Sequence, residues 1–136
     1  MKVVVDTSAF YAFLSDDDPR NLSAVQMFAE LHNADADLMT HQYVVVEALS
    51  LIQRRLGMAV VRRFVHDVLP AIETVWVDPD LHATALATML SVAPRGVSFV
   101  DWTSFIVMRK LGITTAFAFD ADFAAQGFEV IPTPTA

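Results

Sequence analysis

Five acids of this chain sit in surroundings where carboxylates are seldom left: Asp6 in VVVDTS, Glu47 in YVVVEALS, Asp101 in SFVDWT, and Asp120 with Asp122 in FAFDADF. A charge among apolar neighbours is costly unless it is paired or bound to a cation. Two carboxylates about 5 Å apart repel by about 3 kcal/mol at an effective dielectric of 20, so gathering several requires protons or cations. An all-oxygen donor set without His or Cys selects a hard ion, Mg²⁺ or Mn²⁺. One or two such ions polarise a phosphodiester and activate water for in-line attack.

For this chemistry the acids must meet, and the pattern of elements says where. Val3-Val4-Val5 reads as a strand buried on both faces, stopping on Asp6 before the hydroxyl residues Thr7 and Ser8. Helical periods follow over 9–14 and 22–33, with a short strand at 38–40. A long helix from 40 or 41 to 56 carries Glu47 two turns in and is expected to close with a left-handed cap at Gly57. Further elements are a helix over 58–69, a strand over 74–77 and a helix from about 81 that ends before Pro94. Ser98-Phe99-Val100-Asp101 has capping-box spacing and opens a helix over 99–111 with Gly112 after it. A strand over 113–119 ends on Asp120, and an edge strand over 128–131 closes the domain, read as 1–131 with a disordered tail over 132–136. Strands alternating with helices imply a largely parallel sheet with helices on both faces. In that arrangement strand ends and helix starts share one edge, so Asp6, Glu47, Asp101 and Asp120 converge there. Each acid alone has a plainer reading: Asp6 and Asp101 as helix caps, Glu47 as a partner for Arg54 or Arg55.

Composition narrows the field. The 136 residues contain no cysteine, which removes disulfides and thiolate metal sites and fits a reducing, cytoplasmic setting. The four histidines show no metal-ligand spacing. The stretch 81–94 is the longest without a formal charge and is shorter than a membrane span, and no signal peptide is expected. A net charge of −7 is the wrong sign for holding nucleic acid by bulk charge, yet Arg54, Arg55, Arg62 and Arg63, and then Arg109 and Lys110, form local basic groups. A hydrophobic content of 54% is high for a small monomer and predicts burial against another chain, at least a dimer. No GxxxxGK[ST], GxGxxG or GxSxG motif is present.

The succession VVVDTSAF, YVVVEALSLIQRRLG, VSFVDWTSFIVMRKLGI and TAFAFDADFAAQGFEVI resembles the PIN-domain ribonucleases, in particular the VapC-like toxins, over almost the whole chain. The resemblance implies a three-layer α/β/α fold with a five-stranded, mostly parallel sheet in the order 3-2-1-4-5. It implies Mg²⁺- or Mn²⁺-dependent cleavage of RNA, commonly by a homodimer held in check by an antitoxin. The family's acids match Asp6, Glu47, Asp101 and Asp120, with Asp122 as an accessory metal ligand and Ser8 as the orienting hydroxyl. Asp6 and Asp101 would be the core ligands, Glu47 would hold metal or activate water, and Asp120 would complete a weaker second site. Arg54, Arg55, Arg109 and Lys110 are candidate RNA contacts. One departure is Asn21, where many relatives carry histidine.

Two other classes of answer compete. An acidic phosphoryl-transfer pocket of the phosphatase kind needs a second acid two residues after Asp6, where Ser8 stands; one of the receiver kind needs an acid pair after the first strand and a lysine after the last core strand. A catalytically silent binding module would keep the fold and use the cluster only to shape a docking surface.

Overall fold

The computed structural model of the chain describes residues 1–92 and 96–134. Five strands, β1 (Lys2–Val5), β2 (Asp37–His41), β3 (Glu73–Val75), β4 (Thr115–Phe117) and β5 (Glu129–Ile131), form one sheet in the order β3-β2-β1-β4-β5. Every pairing is parallel, with Val4 beside both Met39 and Ala116 at the centre. The sheet and strand order expected from the sequence are therefore present.

The helices are α1 (Thr7–Leu14), α2 (Asn21–Asn33), α3 (Gln42–Leu56), α4 (Met58–Arg63), α5 (Pro79–Val92), α6 (Phe99–Leu111) and α7 (Asp122–Ala125). Alternation along β1 explains the two layers. Val3 and Val5 face a core with Phe10, Ala48, Ile52 and Phe64, whereas Val4 faces a second core with Met39, Trp102, Phe105 and Met108. The first core lies under α1 to α4 and the second under α6.

Local chemistry sets the element ends. Ser98 accepts the Asp101 N–H at 3.1 Å and starts α6, and Gly112 at φ 68°, ψ 27° stops it in the left-handed conformation. Asp78 takes the Leu81 N–H at 2.8 Å and Pro79 occupies the first turn of α5, where its missing N–H has no consequence. Asn21 donates to the carbonyls of Ala12 and Phe13 at 2.9 and 3.1 Å, binding the end of α1 to the start of α2.

Three expectations about elements need correction. Gly57 has positive φ, 88°, but its ψ of 174° is extended, because the chain turns straight into α4 without a left-handed cap. The helix expected over 58–69 is α-helical only to Arg63. It widens into a π turn over Phe64–Val68, with the Leu69 N–H reaching the Phe64 carbonyl, and tightens to 3-10 at Leu69–Ala71, where Pro70 has no N–H to continue it. Strand β4 covers only Thr115–Phe117 of the expected 113–119, so Asp120 lies three residues beyond the strand rather than directly after it. Of the expected tail, residues 132–134 border a groove beside Asp120, and 135 and 136 lie outside the described residues, as does Pro94.

Candidate metal centre

Asp6 follows β1 directly, its N–H hydrogen-bonded to the Phe117 carbonyl of β4 at 3.0 Å. It is also the N-cap of α1: Oδ2 accepts the Ser8 N–H at 3.2 Å and the Ser8 hydroxyl at 2.6 Å. The capping reading is thus correct for Asp6, and it leaves Oδ1 unused by the cap. Asp101 sits in the first turn of α6, and only the serine half of the capping box forms among the described residues. Its carboxylate turns instead to the sheet edge, where Asp6, Asp101 and Asp120 each place an oxygen within 4.8 Å of the others. Asp120 is held by the Asp122 N–H, which donates to Oδ1 at 3.0 Å.

Burial and crowding both show in the proton affinities. Asp6 is 3% exposed, and burial first, then the charges of Asp101 and Asp120, push its pKa from 3.8 up to about 7. Asp101 is raised to about 7 by burial, followed by Asp120, Asp122 and Glu47. Asp120 is raised as well, chiefly by burial, with the Asp122 N–H opposing. Glu47 and Asp122, both half-buried, therefore stand close enough to act on Asp101 while remaining outside the tight triad. No counter-charge relieves the crowding: among the described residues the one ion pair is Arg20–Asp18 at 4.0 Å. The anticipated pairing of Glu47 with Arg54 or Arg55 does not form.

Neighbouring groups fix the frame. Ser8 Oγ accepts the Phe119 N–H at 3.0 Å, so one hydroxyl joins Asp6 to the loop that carries Asp120. His41, fully buried at the end of β2, shares a 2.8 Å hydrogen bond between Nε2 and Ser104 Oγ. Ser104 donates onward to the Val100 carbonyl at 3.1 Å, which makes His41 Nε2 the donor. Burial lowers the His41 pKa to about 4 and keeps the ring neutral. This bond pins α6, and with it Asp101, against β2.

The four basic candidates lie elsewhere. Arg54 and Arg55 are in the last turn of α3, and Arg109 and Lys110 in the last turn of α6. Helices antiparallel to the strands bring those turns to the opposite edge of the sheet. There Arg109 bonds the Gln126 side chain at 2.9 Å and lies 5.3 Å from the Phe128 ring centre, while Arg55 lies over Tyr11. The arginine that does reach the acidic edge is Arg20, whose Nη1 donates to the Phe119 carbonyl at 3.1 Å. Nothing in the residues around Arg20 signals this, because its partner is 99 residues away.

The family model of the PIN domain matches residues 3–129. The chain belongs to the PIN-domain family. It is 37% identical over 132 residues to the 23S rRNA-specific endonuclease VapC20 of Mycobacterium tuberculosis, covering 96% of this chain and 98% of that one. The crystal structure of M. tuberculosis VapC20, described as a sarcin–ricin-loop-cleaving toxin, superposes with a TM-score of 0.84 at 35% identity over 93% of this chain and 95% of the other. The PIN fold is also shared with FitAcB of Neisseria gonorrhoeae, at TM-score 0.68 and 16% identity over 94% and 95% of the two chains.

The donor set of this PIN domain fits a hard divalent cation. It offers three convergent carboxylates, one of them buried, with raised proton affinities and no basic partner among the described residues.

Proposed function

We propose that this PIN domain is a Mg²⁺- or Mn²⁺-dependent endoribonuclease, the toxin of a toxin–antitoxin pair, acting in the cytoplasm. The observation that carries the reading is the convergence of Asp6, Asp101 and Asp120 within 4.8 Å with no ion pair to any of them among the described residues. Asp6 and Asp101 would hold the ion, with Asp120 completing a second, weaker position and Asp122 as accessory. When bound, the ion supplies charge neutralisation, polarisation of the scissile phosphodiester and a lowered pKa for water. Glu47, half-buried and near Asp101, would hold metal or take the proton of the attacking water. Ser8 keeps Asp6 and the Asp120 loop in register. By likeness to VapC20, the substrate class is 23S rRNA at the sarcin–ricin loop; the expected protein partner is a cognate antitoxin. Apolar residues exposed on α5, Leu86 and Leu90, favour a homodimer.

The test is incubation of the protein with 23S rRNA or a hairpin carrying the sarcin–ricin sequence, with Mg²⁺ or Mn²⁺ and with a chelator. Cleavage is expected only with metal. Asp101→Asn should lower the rate about 100-fold or more, because losing a metal ligand exceeds the 10- to 100-fold typical of its supporting groups. The fold should survive, since the Ser98 cap uses the backbone N–H of residue 101. Equal cleavage in chelator, or by the variant, overturns the reading; an intact fold that cleaves nothing with either ion leaves a binding module.

A further inference from the structure

The acidic cluster borders a groove at Asp120. A groove of about 520 Å³ opens there, bordered by Arg20 and Ser23 of the α2 start, Phe119 and Asp120, and Val130 and Thr133 around the end of β5. Asp120 belongs to both the triad and the groove, so the groove adjoins the carboxylates.

Arg20 gives the groove its chemistry. Nη1 is fixed by the Phe119 carbonyl at 3.1 Å, the guanidinium lies 5.7 Å from the Phe119 ring centre, and Nε is 4.0 Å from Asp18. Nη2 has no hydrogen bond within the protein among the described residues, and the side chain is 53% exposed. Arg20 and Asp120 form no ion pair, so a fixed positive charge is presented beside the cluster rather than neutralised by it. Next to it come two hydroxyls, Ser23 and Thr133, and an apolar floor that includes Val130. A cation, hydroxyls and an apolar floor in one channel match a nucleotide: phosphate, ribose and base.

Resting on the ribonuclease reading, we infer that this groove receives the RNA strand on one side of the scissile phosphate, with Arg20 contacting an adjacent backbone phosphate. An enzyme that cuts within a chain must hold nucleotides flanking the cut. In a protein of net charge −7 this is where the described residues place a cation beside the cluster. Arg20 acts here as a positioning residue, and its effect falls on substrate affinity.

The experiment uses the full chain, a fluorescent sarcin–ricin hairpin of 23S rRNA, and the variants Arg20→Gln, Arg20→Lys and Ser23→Asp. Gln retains a donor for the Phe119 carbonyl and loses the charge; Lys retains the charge. Ser23→Asp adds a negative charge in the groove at a helix start, where an acid is tolerated by the fold. Cleavage with Mn²⁺ should show KM raised roughly tenfold by Arg20→Gln and Ser23→Asp, kcat within about twofold of the parent, and recovery by Arg20→Lys. Hairpin binding in chelator, followed against NaCl, needs no catalysis; its log–log slope should shrink by about 0.7 to 1 for Arg20→Gln. The inference is overturned by equal slopes, by no salt-dependent binding of the parent, or by Gln matching Lys, which would reduce Arg20 to a carbonyl clamp. It is likewise overturned if the variants cleave RNA as the parent does and lose only inhibition by an antitoxin, which would make the groove a peptide site. Failure of the ribonuclease reading looks different: the parent itself then shows no metal-dependent cleavage.

Discussion

Ser8 Oγ donates its proton to Asp6 Oδ2 at 2.6 Å and itself accepts the Phe119 N–H at 3.0 Å. Asp6 ends the central strand and Phe119 leads to Asp120, so one side chain sets the spacing of two of the three clustered carboxylates. Without it, the β1–β4 pairing and the Asp6 N–H bond to the Phe117 carbonyl would still join the two strands, but nothing would tie the Asp6 side chain to the loop that carries Asp120.

Ser8→Ala should therefore act on the site more than on the fold. The Phe119 N–H, part-buried, loses its acceptor, and the expected destabilisation is about 1–2 kcal/mol. Affinity for Mn²⁺ should fall roughly 10- to 100-fold, the range for groups that orient metal ligands. Calorimetric titration with Mn²⁺, beside thermal melts, measures both. Unchanged Mn²⁺ affinity would remove Ser8 from the site.

What the sequence made legible follows from how local each determinant is. Asp6 and Asp101 could be placed because a buried strand stop and a Ser98-x-x-Asp101 spacing are written in adjacent residues, and the parallel sheet then brings them together. Arg109 and Lys110 stand out in the same way, as a pair after an apolar run. Yet the helix polarity that brings Asp101 to the cleft carries them to the opposite edge. Arg20 is the converse case, since its role depends on a carbonyl 99 residues further along. The π turn at Phe64–Val68 was equally hidden: Phe64 and Val68 are buried as a helical period expects, while Val65 is exposed.

The raised proton affinities predict how stability depends on pH without metal. Asp6 and Asp101 have folded-state pKa values near 7 against an ordinary 3.8, so between these values the folded state binds more protons than the unfolded. The stability these groups contribute in chelator should then be full below about pH 4 and be lost as pH rises through 7. His41, lowered to about 4, works in the opposite direction between pH 4 and 6.5, but it is one group against the acids of the cluster. A net difference of one proton corresponds to about 1.4 kcal/mol per pH unit, reduced by solvent screening at half-exposed Asp101. Thermal melts from pH 5 to 8 in chelator should show a falling Tm that Mn²⁺ flattens. A Tm rising over this range in chelator would contradict it.

The assembly prediction rests on α5. Leu86 and Leu90, one helical turn apart, are 41% and 74% exposed, a costly arrangement for a lone protomer. Light scattering at micromolar concentration should return the mass of a dimer, and Leu90→Lys should shift it to monomer without lowering helix content. A monomeric parent would show that this face is not a contact between copies.

Asp6→Asn separates metal chemistry from helix capping. The structure assigns Asp6 both roles, and they respond differently to the change. Asn retains an oxygen to accept the Ser8 N–H, so the cap alone predicts a loss of a few tenths of a kcal/mol or nothing. The cluster predicts a gain in chelator, because one buried charge leaves a site where Asp101 and Asp120 repel it. The relief is about 1–3 kcal/mol at the separation of these carboxylates. The Ser8 hydroxyl, which favours the charged form of Asp6, offsets part of that gain. The gain should also grow from pH 5 to 8, since protonation of the parent carboxylate gives the same relief at low pH. Mn²⁺ or Mg²⁺ stabilises the parent by mass action and the variant much less, so the order of the two melting temperatures reverses when metal is added. Four melts at pH 8, two proteins with chelator and with metal, decide the matter. If Asp6→Asn melts below the parent in chelator and both respond equally to metal, then Asp6 is a helix cap whose neighbours happen to be acidic, and the metal centre is not there.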